Sequence, residues 1–192
     1  MTIDFSTISA IIKNRRSIKP VMMNGKKIPD YQVKALLELA DWAPTHGLTE
    51  PWRFTVYANP PEFCNQHAEM YKANTKAEDF IEGVYNNLFH QGDKASHAII
   101  TTMKRGNLAK IPVIEEVEAV SCAIQNMLLG ATALNIASFW STGGMALKAP
   151  MRSFLKFDEE DHLIGIIYLG YADEQPDSKR TIPLDEKVNR IA

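Results

Sequence analysis

The sequence predicts an α+β fold, a small sheet with helices packed against it, and two observations carry that expectation. Helical periodicity outnumbers strand-like patterning, and the strand-like runs are four short ones, near Phe54, Ala98, Ser138 and Ile164. Between them lies one long hydrophobic helix, because Ala119 to Leu147 contains no charged residue. At 192 residues the chain is long enough for one well-buried domain, read here as spanning 1–192, and too short for two full-sized ones.

The first element begins at Ser6, a possible cap, and carries Ile8, Ile11 and Ile12 at the i, i+3, i+4 spacing that puts apolar side chains on one helix face. It delivers Arg15 and Arg16. The next helix opens at Pro29-Asp30, repeats Val33, Leu36, Leu37 and Ala40 at helical spacing, and stops at Ala43-Pro44. Arg53 to Ala58 reads as a strand ended by Asn59-Pro60-Pro61. The polar region from Glu62 to Gly92 is expected to be helical at both ends, with a mobile middle around Lys72 to Glu82. Ala98 to Met103 reads as an internal strand and Lys104 to Pro112 as loop. Glu115 and Glu116 open the long helix, whose apolar face runs through Val117, Val120, Ile124, Met127, Leu128, Ala131 and Leu134. Ala137 to Ser141 and Leu163 to Tyr171 complete the strands, the second bounded by the acidic turn Asp158 to Asp161. The tail from Asp173 has little core of its own.

Composition narrows the function. Hydrophobic residues at 45% and charged residues at 23% exclude a disordered or collagen-like chain. The net charge of −2 gives no electrostatic case for nucleic acid. Cys64 and Cys122 sit in no metal or disulfide pattern, which suits a cytoplasmic protein. Met1 to Phe5 lacks the basic start and apolar core of a secretion signal. Ser121, Gln125, Asn126, Thr132, Asn135 and Ser138 recur too often in the uncharged stretch for a membrane span, and Gly143-Gly144 breaks it. The five histidines show no HxxxH or HExxH spacing, and no phosphate-binding GxxxxGK[ST] loop is present.

Three segments carry candidate chemistry. Arg15-Arg16-Ser17 sets two guanidinium forks beside a hydroxyl, donors suited to a phosphate, although paired arginines at a helix exit are commonly a solvated surface. Ala43 to Phe54 joins Pro44, His46, Pro51 and Trp52 where an ordinary connector would use Gly, Ser and Asp; Trp52 also reads as a core aromatic. Trp140-Ser141-Thr142-Gly143-Gly144 runs a strand into small residues whose backbone N–H groups can approach a ligand, as an ordinary tight turn also would.

Taken in order, Arg-Arg-Ser, Ala-Pro-x-His, Pro-Trp-x-Phe, the long apolar helix, Trp-Ser-Thr-Gly and Ile-Gly-Ile-Ile-Tyr-Leu-Gly at 164–170 resemble the FMN-dependent nitroreductase family, closest to its small single-domain branch. The similarity covers about Ile8 to Pro183. The resemblance implies a sandwich with a central, mainly antiparallel sheet, and an intertwined homodimer with FMN in two interfacial clefts. It implies that Arg15, Arg16 and Ser17 contact the phosphate and ribityl chain. Trp42, Thr45 and His46 would lie near the ring or ribityl group, across the interface, with Trp140, Ser141 and Thr142 on the other side. Gly143 would bring a backbone N–H toward flavin N5, and Arg180 or Lys179 would add a second phosphate cation. The long helix would pack on its mate through Ala123, Gly130, Ala131 and Ala133. Glu50 departs from the family, standing where Gln commonly precedes Pro-Trp.

The activity implied is ping-pong hydride transfer from NADH or NADPH to a nitroaromatic, quinone or related electrophile, with the flavin and no side chain carrying the chemistry. A dinucleotide that only visits an open cleft needs no Rossmann glycine loop. Lys72 to Gly92 is the candidate cover that selects substrates. The other readings are a flavin-dependent dehalogenase-type enzyme, whose additional lid motifs are not seen, and a non-catalytic FMN-holding dimeric protein.

Overall fold

The computed structural model describes residues 4–191; the first three residues of the N-terminal stretch read for a secretion signal lie outside them. Helix α1 spans Phe5–Asn14 and is capped two residues earlier than expected: the Asp4 carboxylate, not Ser6, takes the cap position and accepts the Ser6 N–H at 3.0 Å. An anion serves better than a hydroxyl at the positive helix end. Helix α2 (Asp30–Asp41) starts after Pro29 and buries Val33, Leu36 and Ala40.

Four strands, β1 (Trp52–Tyr57), β2 (His97–Met103), β3 (Ala137–Ser141) and β4 (His162–Gly170), lie in the order β1-β2-β4-β3 with every neighbouring pair antiparallel. Alternation along the strands separates two cores. Ile99, Met103, Ile167 and Leu169 face one side, against Leu36 and Ala40 of α2 and the long helix α5 (Val113–Ala133). Ala98, Ile100, Ile166 and Tyr168 face the other, against Phe63 and Cys64 of α3 (Pro60–Ala73) and Met151 of α6 (Ala149–Phe154). Both faces are covered, so β2 and β4 read as near-continuous apolar runs. Helix α6 has no counterpart in the sequence reading, being a six-residue helix too short to show a period.

The uncharged stretch forms most of α5 and then turns into β3. Of its small residues, only Ala133 lies on the outward surface that the resemblance implied. Ala123, Gly130 and Ala131 are buried within the chain, and Gly130 lets α2 approach: a Cβ there would lie 2.5 Å from Leu39 Cδ1 and 2.9 Å from Leu36 Cδ2. Close packing inside the subunit uses them first, because α2 crosses α5 at that point. No helix among the described residues is long and apolar enough to cross a membrane.

The Glu62 to Gly92 region holds α3 and then α4 (Glu82–His90). The connection between them, expected to be its mobile part, is bridged by an aromatic series. Tyr71 and Phe80 stack at 5.5 Å, Phe80 and Tyr85 lie 6.1 Å apart, and Tyr85 and Phe89 stack at 5.9 Å. The Tyr71 hydroxyl also accepts the Ile81 N–H at 3.0 Å, which fixes the start of α4.

Candidate active site

Residues 15–19 leave α1 and run along the open edge of β3. Ser17 pairs with Ser138 in a parallel bridge, and the Ile18 N–H donates to the Ser138 carbonyl at 2.9 Å. The parallel direction sets Arg15 toward the start of β3 and Lys19 toward its end, where Ser141 leads into Gly143-Gly144. Two segments more than a hundred residues apart thus become neighbours.

Where they meet, a cleft of about 780 Å³ opens, a size suited to a small-molecule site. One wall is Lys19, Pro20 and Val21; the second is Phe139, Ser141, Gly143 and Gly144; the third is α4 with its flanking residues, through Ile81, Val84, Asn87, Leu88 and Gln91. The α4 wall belongs to the region expected to cover the site. Most of the exposed lining surface is apolar, and the charged residues on it are Lys19, Lys94 and Asp93. Behind the glycine wall stands His67 of α3, buried, its Nε2 accepting the Met145 N–H at 2.8 Å. Burial pushes its pKa down to about 4, so the ring is neutral at physiological pH. The proton therefore sits on Nδ1, which has no partner among the described residues.

The sequence-selected residues divide. Ser17 lies on the β3 edge, and Ser141 and Gly143 line the cleft. Arg15 is partly exposed at the helix exit, while Arg16 donates to backbone: Nε to the Pro176 carbonyl at 3.2 Å, and one terminal nitrogen to the Lys13 and Arg15 carbonyls. Arg16 thereby holds the C-terminal segment down. Trp140 projects from the sheet face opposite Ser141, lies over Gly165 and donates its indole N–H to the Ile164 carbonyl at 3.0 Å. Thr142 is exposed, and Arg180 sits in the tail among Thr181, Ile182 and Leu184.

Trp42, Thr45 and His46 line no wall of this cleft. They belong to a loop closed at its base by Trp52, a buried core aromatic whose indole N–H donates to Asp41 Oδ1 at 2.8 Å. Inside it Thr45 Oγ1 accepts the Glu50 N–H at 3.2 Å, and His46 Nδ1 meets Glu115 of α5 at 2.6 Å. Trp42 is 86% exposed. Glu50 points to solvent.

Lys19, α4's Asn87 and His67 were not singled out by the sequence. Lys19 stands two residues beyond Arg-Arg-Ser and becomes visible once the parallel bridge orients the segment. His67 shows no sequence signal, being one histidine in an amphipathic helix.

The sequence model of the Nitroreductase family matches residues 12–171, which contain both strand-edge segments and all three cleft walls. The chain belongs to the Nitroreductase family. Among its nitroreductase relatives, YfhC of Bacillus subtilis, provisionally named an NAD(P)H nitroreductase, is 28% identical over 187 residues, covering 97% of this chain and 95% of its own. A nitroreductase-like family protein from Bacillus cereus superposes with a TM-score of 0.82 over 100% of this chain and 99% of its own, at 23% identity. A nitroreductase with bound FMN from Bacteroides fragilis gives 0.69 over 96% and 98%, also at 23% identity. These structures establish the shared fold, an antiparallel sheet flanked by helices.

Proposed function

We infer that the protein is an FMN-dependent NAD(P)H oxidoreductase. The observation that carries this reading is the course of residues 15–19 along β3 to the glycine wall of the cleft, within the part of the chain that the family match covers. Bound FMN would accept a hydride from a nicotinamide and pass it to a second substrate. The chain supplies binding and orientation. Arg15 and Ser17 offer donors for a phosphate at one end of the segment, where a guanidinium fork suits the dianion. Lys19 and the backbone at Gly143-Gly144 stand at the other end, suited to the polar edge of a ring system. Val21, Val84 and Phe139 give apolar walls that exclude water from a flat heterocycle.

The acceptors we propose are nitroaromatics, quinones and related electrophiles, taken in alternation with NADH or NADPH at one open cleft. The working unit is a cytoplasmic homodimer of this single domain. Apolar exposure supports it: Phe5 is 80% exposed, Leu48 82% and Leu184 72%. In that dimer Trp42, Thr45 and His46 of one copy would face the cleft of the other, and Arg180 would supply a second phosphate cation. Reconstitution with FMN and anaerobic addition of NADH or NADPH tests the reading. Yellow protein that bleaches supports it, and a panel of acceptors with each nicotinamide ranks the substrates; protein that takes up no FMN overturns it.

A further inference from the structure

We propose that His67 is a positioning residue for the cofactor cleft, its imidazole accepting the Met145 amide and so setting the Gly143-Gly144 backbone that forms one wall. The binding consequence rests on the FMN reading above, whereas the backbone consequence rests on geometry alone.

Three elements converge on one point. The Met145 N–H donates to His67 Nε2 at 2.8 Å. Gly144 is left-handed at φ +63°, and the space a Cβ would need is occupied by Leu88 Cδ2 at 2.7 Å and His67 Nε2 at 2.8 Å. Helix α3 from behind and α4 from the cleft's side therefore grip the loop, and only glycine fits between them. The imidazole has no room to swing away: it is 2% exposed and packs against Phe63 with ring centroids 5.5 Å apart.

The Gly143 side of the loop is loosely held. Gly143 N–H reaches Ser141 Oγ at 3.4 Å and Ala146 N–H reaches the Gly143 carbonyl at 3.3 Å, both long for hydrogen bonds. Ser141, Gly143 and Gly144 line the cleft, so their exposed backbone takes its direction from Met145, which is held by His67 at its N–H and by the Lys148 N–H donating to its carbonyl at 2.9 Å. Backbone donors assist binding and charge stabilisation when their direction is fixed before the ligand arrives. An imidazole acceptor does this only while neutral, since a second N–H on Nε2 would oppose the Met145 N–H; burial keeps it neutral.

The experiment compares wild type, His67→Leu and His67→Gln. Two readouts are measured: hydrogen exchange of the Met145 amide without cofactor, and the FMN dissociation constant from flavin fluorescence. In His67→Leu the Met145 amide is expected to exchange about tenfold faster or more, and FMN to bind about tenfold more weakly, the scale of one lost hydrogen bond. His67→Gln places an amide oxygen near the Nε2 position and is expected to restore both. Should His67→Leu fail to fold, His67→Asn, whose amide ends short of that position, replaces it. A Met145 amide equally protected in all variants, or a Gln variant as weak as Leu, overturns the proposal. Wild-type protein that takes up no FMN overturns the cofactor reading and the binding half with it, and the exchange rates then decide the backbone half.

Discussion

The Gly143 to Met145 loop and the Trp42 to Glu50 loop both contain left-handed backbone, yet they are held in opposite ways. In the first, the left-handed residue is glycine, and a buried histidine and a buried leucine fill the space a side chain there would need. In the second, Gly47 is joined by Leu48 at φ 55° and Glu50 at φ 43°, conformations costing an L-residue about 1–2 kcal/mol each. That loop is braced at its base by Trp52 and Asp41 and along its side by His46 and Glu115, while Trp42 and Leu48 face outward. A loop pinned from the core is finished within one chain. A strained loop that turns its aromatic outward is a surface awaiting a cover, which is the physical content of the dimer proposed above.

That contrast breaks most directly at α1, where no residue is buried and Phe5, Ile8 and Ile12 are exposed. Replacing Ile8 and Ile12 together by Asp is expected to leave the subunit folded, to shift sedimentation from dimer to monomer, and to weaken FMN binding about 100-fold or more. Unchanged sedimentation and affinity would mean that the cleft is complete in one chain and that the outer loop has no part in it.

The pinned loop carries a pH signature of its own. His67 titrates near its ordinary 6.5 in the unfolded chain and near 4 when folded, so the unfolded state binds more protons between these values. Stability should therefore be full above pH 6.5 and fall as pH drops toward 4, by roughly 3 kcal/mol from this group. His97, also lowered by burial and facing Asp30 and Lys27, adds in the same direction. Chemical denaturation of wild type and His67→Gln across that window checks it: the variant should show the shallower fall, and parallel curves would remove His67 from the account.

A smaller effect separates packing inside the subunit from packing between subunits. Gly130→Ala should cost about 1–2 kcal/mol of stability by pressing on Leu36 and Leu39, with the dimer constant unchanged. A loss of dimerisation without loss of stability would return Gly130 to the outer surface. Smallest is His46→Ala. Its bond to Glu115 is largely exposed, so melting should change by less than about 0.5 kcal/mol, and a clear fall in FMN affinity from so mild a change would tie the outer loop to a partner's cleft.

The four strands were legible because β-branched and aromatic runs stand between turn residues, and the structure moves their ends by about a residue. The long helix was legible from the absence of charge. Three of the four small residues on it, Ala123, Gly130 and Ala131, were misread, since such residues look alike whether they face the subunit's own core or a second copy; only the packing of the chain distinguishes the two. Asp4 took the cap assigned to Ser6 because both stand in capping range and the structure alone shows which oxygen accepts.

By itself the sequence determined the four strands, the longer helices and the family, and it marked the strand-edge segments proposed to carry a site, because these depend on local period and on short ordered motifs. The tertiary structure decided which of those segments meet. A parallel bridge at Ser17 and Ser138 oriented Arg15 and Lys19, α4 supplied a third wall from a region without a motif, and a lone histidine on α3 was brought behind a glycine nearly eighty residues away. Such contacts are set by packing between elements distant in the chain, and a one-dimensional pattern holds no record of them.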